Sequence, residues 1–355
     1  VKLDQDGDLD WARSFGGESQ DVGLSIAVDE EENVFVTGRY REEIDLDPGE
    51  GEFSFISEGE DDIFIAKLNA DGDFAWGASI GGIRDDEGLS VAIDPMGNVL
   101  TTGFFERDPD FDVPVDFDPG PEDFIMTSAG SKDAFVLKLD NGGNFVWAGR
   151  MGGVSECIGQ GVDTDEFGNV YTTGHYVGGF NDFDPGEETL ELEWQGGDDV
   201  FLSRWDESGN LVWATNLAGD FQERGLALEV EAGIVYSTGT FFGTTDFDPA
   251  EVEFLLSSVG STDIYVHKMN HVLNLIEFRE GIGMKVLGFR GDPKAPRYAV
   301  VSEVGGAYTL ENAASDNKLS VPASIGEDAD AERLNWLYQE IHAIFDAHPG
   351  IEEVV

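Results

Sequence analysis

Cysteine is nearly missing: Cys157 is the single one in 355 residues, which excludes an intrachain disulfide framework and any cysteine-rich zinc site. Basic residues are scarce, 20 against 73 acidic, for a formal net charge of −53. A field of that sign repels phosphate, so nucleic acid and anionic membrane surfaces are poor partners. No apolar run approaches the roughly 20 residues of a membrane-spanning helix. No signal-like stretch opens the chain and no Met precedes Val1-Lys2, so the expectation is an internal or processed segment. Histidine is limited to five residues, none clustered at metal-ligand spacing. Neither Gly-x-Ser-x-Gly nor a phosphate-binding glycine loop occurs. What is plentiful is glycine, 46 residues, beside 41% hydrophobic and 26% charged content, the composition of a folded chain of one to three domains.

The glycines fall into a repeat. Trp11, Trp76, Trp147 and Trp213 recur at steps of 65, 71 and 66 residues, each after a glycine turn such as Asp71-Gly72-Asp73. A Gly-Gly or Ala-Gly pair follows at Gly16, Gly81, Gly152 and Ala218, then a strand ending in an acid at Asp29, Asp94, Asp165 and Glu231. Next comes Thr-Gly at Thr37, Thr102, Thr173 and Thr238, then Asp-x-Asp-Pro from Asp45, Asp116, Asp182 and Asp246. Last, Asp62, Asp133, Asp199 and Asp263 each lead a short run with a basic residue five positions on, at Lys67, Lys138, Arg204 and Lys268. Inside each segment the apolar period is two, and β-branched and aromatic residues dominate, which favours strands. Glycine turns between neighbouring runs favour antiparallel hairpins. Joining the hairpin of Asp62 to Ile80 with that of Leu89 to Phe104 predicts an all-β, four-stranded antiparallel sheet of about 45 residues, the size of a propeller blade. The roughly 20 further residues around Asp-x-Asp-Pro then form an excursion between blades. One such sheet cannot cover both its faces, so the units must stack.

The cadence Trp-x-x-x-x-Gly-Gly, Thr-Gly, Asp-Phe-Asp-Pro-Gly and Asp-Ala-Phe-Val-Leu-Lys-Leu resembles the SBBP-type bacterial β-propeller repeat over residues 1 to about 270. The resemblance implies a secreted or cell-surface bacterial protein, multidomain, without a fixed activity. The expected domains are a propeller over 1–278, with three complete blades and two partial ones, and an incomplete α/β segment over 279–355. The last 85 residues of the chain carry 14 acidic and 7 basic residues, net −7, against 59 and 13, net −46, before them. The strand Asp263 to Met269 is the piece that the N-terminal partial blade lacks. The array is therefore either an open stretch or a four-bladed ring closed by that strand, since propellers hide their terminal edges.

Beyond 278, strands are expected at Met284–Gly288, Arg297–Val304 and Ala307–Leu310, and a helix over Asp328–Ala347 with Leu334, Leu337, Ile341, Ile344 and Phe345 on one face. This order weakly resembles the opening of a RuvC-like, ribonuclease H-type domain, through Leu287-Gly288-Phe289-Arg290 and Tyr298-Ala299-Val300-Val301. Arg290 stands where that family places its first metal-binding Asp, so a degenerate nuclease fragment, or a fusion or gene-model artefact, is implied.

Chemistry concentrates in carboxylates. In extended chain, residues i and i+2 share a face, so Asp45/Asp47, Asp116/Asp118, Asp182/Asp184 and Asp246/Asp248 converge in pairs. Two readings stand: weak calcium sites with oxygen ligands, or Asp-Pro-Gly turn chemistry. Phe117, Phe183 and Phe247 between the acids are read either as exposed contacts or as loop anchors. Asp62, Asp133, Asp199 and Asp263 satisfy neighbouring backbone N–H groups or line a central channel, with the basic partner on a solvated face. The Trp series is read as blade-to-blade core or as a sugar-stacking platform. Cys157 stands in the column of Asp21, Asp86 and Glu223 and is expected half-exposed. Three classes follow: a non-enzymatic scaffold binding protein or glycan through inter-blade loops, a polysaccharide hydrolase or lyase with acids meeting at a channel mouth, and a halophilic acidic surface with no specific ligand. No catalytic residue and no cofactor beyond calcium is expected.

Overall fold

The computed structural model describes residues 1–270 except 109, 111, 112, 187, 232 and 250–253, together with strands between 284 and 321. The described chain is all-β and propeller-like. It divides into two compact units, one of Val1–Ala232 and Tyr236–Lys268, the other of Gly233–Val235 and Met269–Val355.

Three complete antiparallel meanders repeat along the first unit. They comprise Val22–Val28, Val34–Asp45, Ser54–Leu68 and Phe74–Ile80; then Asp86–Ile93, Val99–Glu106, Lys132–Leu139 and Phe145–Gly153; then Cys157–Thr164, Val170–Val177, Asp198–Trp205 and Leu211–Gly219. A three-stranded sheet follows from Glu223–Glu231, Ile234–Phe241 and Asp263–Asn270, and a short hairpin of Lys2–Leu3 and Leu9–Trp11 precedes them.

The grouping of hairpins differs from the sequence expectation. Phe74–Ile80 and Asp86–Ile93 do not pair; they are edges of successive sheets. Instead the strand before Asp-x-Asp-Pro pairs with the strand after it, Thr37 opposite Ile65 and Thr102 opposite Val136. The excursion therefore lies within a blade, joining its second and third strands, and not between blades. Burial gives the reason. Val99–Glu106 and Lys132–Leu139 are covered along almost their whole length, whereas Phe145–Gly153 opens on alternate residues. Strands buried on both faces belong in the middle of a sheet and must be neighbours.

First strands of successive sheets stack. Ser25 Oγ accepts from Val91 N–H at 3.1 Å, Ser90 Oγ from Val162 N–H at 3.2 Å, and Asp163 Oδ2 from Val230 N–H at 2.6 Å. Apolar cores fill the spaces between sheets: Phe35, Ile63, Val91, Phe105 and Phe135 in one, Leu100, Val136, Trp147, Phe201 and Trp205 in the next. Ring closure by residues 263–269 does not appear among the described pairings. Asp263–Asn270 pairs on one side with Ile234–Phe241, and Leu9–Trp11 pairs with Lys2–Leu3. The N-terminal hairpin is instead held to the first complete sheet, with Arg13 Nε donating to Gly72 O at 2.9 Å and Phe15 edge-on to Phe64 at 5.8 Å.

In the second unit, Met284–Phe289, Arg297–Val304, Ala307–Asn312 and Lys318–Val321 form a four-stranded antiparallel sheet in chain order. Arg290 and the expected helix over 328–347 lie outside the described residues.

Candidate functional site: the joints between sheets

The Trp column makes the joints. Trp11 Nε1 donates to Ala70 O at 3.0 Å, Trp76 Nε1 to Asn141 O at 2.9 Å, and Trp147 Nε1 to Glu207 O at 3.0 Å. Each acceptor sits in the glycine turn of the following sheet. The glycine at its tip has positive φ, +78° to +86°, and a methyl group there would fall 2.6–2.9 Å from the indole. Only glycine satisfies both the turn and the ring. Trp147 also stacks on Trp205 at 5.9 Å, and Trp213 meets Tyr171 edge-on at 6.4 Å.

The basic residue five positions after each Asp is not on a solvated face in the complete sheets. Lys67, Lys138 and Arg204 are buried. Lys138 Nζ lies 2.9 Å from Asp94 Oδ2, and Lys67 reaches the Asn141 side chain while lying 4.9 Å from the Phe35 ring centroid. The aliphatic stems run between sheets and the ammonium groups end at polar partners in or near the turns, which is how long cations cover apolar surface.

The Asp-x-Asp-Pro acids close their own loops. Asp45 Oδ1 accepts from the N–H of Asp47 at 3.0 Å and of Phe53 at 2.9 Å; Asp47 Oδ1 accepts from Gly49 N–H at 2.8 Å. Asp116 and Asp118 do the same with Asp118, Phe124 and Gly120, and Asp182 and Asp184 with Asp184, Leu190 and Gly186. Asp246 accepts from Asp248 and Phe254 N–H, while Ala250 in that fourth loop lies outside the described residues. Phe117, Phe183 and Phe247 are buried anchors, not exposed contacts: Phe117 packs on Phe105 and Phe135, both at 5.2 Å, and Phe183 on Tyr176 at 5.1 Å. Period two dictates this, since acids outward at i and i+2 turn the residue between them inward. Each buried ring contributes about 1.5–3 kcal/mol. Among the described residues no three His, Cys, Asp or Glu side chains converge as a metal set.

The other acid column is deeply placed. Asp62 is 1% exposed, Asp133 and Asp199 are 0%, and Asp263 is half-buried. Each Oδ2 accepts a backbone N–H from four residues earlier, at Glu58, Ala129, Gln195 and Val259, at 2.6–3.0 Å. Across each joint stands the first residue of the next sheet: Asp86, Cys157 or Glu223, all 0% exposed. Cys157 is thus fully buried and not half-exposed, because its position is enclosed by the preceding sheet, and burial pushes its thiol pKa up. His175, 3% exposed, lies with Nε2 3.9 Å from Glu156, and burial lowers its pKa to about 4. Around these joints run ion pairs of Arg39 and Arg41 with Asp61, Arg84 with Asp108 and Arg224 with Asp198. A shallow cavity of about 400 Å³ lined by Glu106, Arg107, Ala129, Gly130, Ser131 and Val154 brings in one carboxyl.

The joints and the repeated meander define a repeat protein of β-propeller type. The chain is 26% identical over 241 residues to an uncharacterized WD repeat-containing protein of Acanthamoeba polyphaga mimivirus, covering 61% of this chain and 17% of that one. It is 29% identical over 108 residues to the regulatory protein FlaEY of Caulobacter vibrioides, covering 30% of this chain and 11% of the relative. The chain therefore spans less than a fifth of the length of the curated relatives it matches. No family model matches it.

Proposed function

We propose that the chain is a non-enzymatic binding scaffold of a secreted or cell-surface bacterial protein, built on an SBBP-type propeller repeat. The partner is a protein, engaged through the excursions between second and third strands. One observation carries this reading. The recurring Trp, Asp and Lys side chains are occupied within and between sheets, whereas the excursions differ from blade to blade and hold exposed apolar residues. Ile125 is 53% exposed, Phe180 48% and Phe254 60%, each on a different sheet's excursion. Exposed aromatic and aliphatic anchors above a rigid frame are the usual hot spots of protein recognition. The similarity to a WD repeat-containing protein supports a propeller used for binding. The acidic charge of −53 favours a basic face on the partner.

Immobilised chain exposed to arrays of bacterial surface proteins and of glycans tests this. Saturable protein binding is expected, weakened about tenfold by Ile125→Ser with Phe180→Ser at unchanged melting temperature. Glycan binding without protein binding, or turnover of a glycan, overturns it.

A further inference from the structure

The three joints place the same carboxyl in different company. At the first, the bend Gly81-Gly82 brings two acids together. A methyl group at Gly81 would fall 2.2 Å from Asp62 Cγ, and the next residue, Gly82, donates its N–H to Asp86 Oδ2 at 2.7 Å. Asp86 Oδ1 accepts from Glu106 N–H at 2.9 Å, so both its oxygens are served, while Asp62 Oδ1 is buried with no hydrogen bond. At the third joint Glu223 Oε1 accepts from Thr245 Oγ1 at 2.9 Å, and both Asp199 Oδ1 and Glu223 Oε2 are buried without a hydrogen bond. At the middle joint the facing residue is Cys157, and Asp133 Oδ2 receives Arg150 at 2.5 Å, while Asp133 Oδ1 is, as at the other joints, buried without a hydrogen bond. Arg150 stands opposite Phe135 in the sheet; the same register position holds Ser79 opposite Phe64 and Asn216 opposite Phe201. Where the second acid is missing, a cation has arrived. Where two acids meet, none has.

We propose that the first and third joints each keep one proton on a facing pair of buried carboxyl groups, Asp62 with Asp86 and Asp199 with Glu223, whereas the middle joint is closed by the Arg150–Asp133 ion pair. Two ionised carboxylates cannot share a buried site without a counterion, and one proton removes the repulsion by leaving a single charge at the joint. The other titratable and charged groups facing the pairs are Glu58, Asp61 and Tyr40 beside Asp62, Glu106 beside Asp86, Asp198 and Tyr176 beside Asp199, and Asp198 and Asp220 beside Glu223. Arg39 and Arg41 are engaged by Asp61, and Arg224 by Asp198. Burial first, and these like charges after it, push Asp62 and Glu223 up to about 7, Asp199 to about 8, and Asp86 well above its ordinary value. The folded chain thus binds more protons than the unfolded one. Its stability is full below the ordinary carboxyl range near pH 4 and is lost as pH rises through about 7–8.

Thermal unfolding of the full chain against pH, with the infrared carboxylic-acid carbonyl band in D₂O, tests this. The melting temperature is expected to fall by about 5–10 °C between about pH 6 and pH 9. A protonated-carboxyl band should be present near neutral pH and disappear over the same range. Asp62→Asn and Asp199→Asn, which keep shape and supply a donor, should each flatten the pH slope and remove part of the band. A melting temperature that is level or rises with pH, an absent band at neutral pH, or joints stabilised by calcium and loosened by chelator overturns the proposal. If a variant fails to fold, the band of the unaltered chain decides alone.

Discussion

The middle joint and the first joint solve one problem in two ways. Both bury an Asp of the third strand against a Gly-Gly bend and the next sheet. In the middle joint the facing acid has become Cys157 and Arg150 supplies a counter-charge. In the first, Asp62 faces Asp86 with no cation added. A repeat keeps its backbone and its Trp bridge while its buried electrostatics vary from copy to copy, because the backbone depends on turns and packing that each copy must satisfy separately.

The largest effect that breaks this comparison is expected from the element common to all joints. Trp147→Ala removes a ring stacked on Trp205 and bridging to Glu207, and should cost about 3–5 kcal/mol in chemical denaturation. Next is Arg150→Ala, which strands Asp133 in the interior and should cost roughly 3 kcal/mol near neutral pH, with recovery in acid as Asp133 takes up a proton. The matching change at the first joint, Ser79→Ala, has no charge to strand and should cost far less, though it removes the hydroxyl 2.6 Å from Tyr40. Asp94→Ala deletes the carboxylate that accepts from Met96 and Asn98 N–H and pairs with Lys138. It should cost about 2–3 kcal/mol, read as a lower urea midpoint. The smallest effect is expected from calcium. The Asp45/Asp47 loop is already closed by its own N–H groups, so millimolar CaCl₂ should raise the melting temperature no more than NaCl of equal ionic strength. A larger, saturable rise would assign the loops to the metal.

Much of this was legible in the sequence. The recurrence of Trp11, Trp76, Trp147 and Trp213 with their glycine turns marks the repeat, and the period of two marks the strands. Which hairpins share a sheet was not, because chain order permits either grouping. The run Ala134–Leu139, apolar except for Lys138, was the available signal, since it asks for a central place. Nor could the sequence separate a buried Lys138 from a solvated one, as alternation looks the same when both faces of a strand are covered by neighbouring sheets. The acid columns at Asp62 and Asp86 could be seen singly, but their meeting across a joint required the third dimension.

Hydrogen exchange at the indole nitrogens, followed by NMR with the resonances assigned by Trp→Phe replacement, tests the stacked-joint account most directly. Trp76 and Trp147 donate to the turn of the following sheet. Their Nε1 protons should therefore exchange only as fast as the joints open, slowed many-fold relative to free indole. Exchange at the free-indole rate for both would mean that these sheets do not stack through their tryptophans.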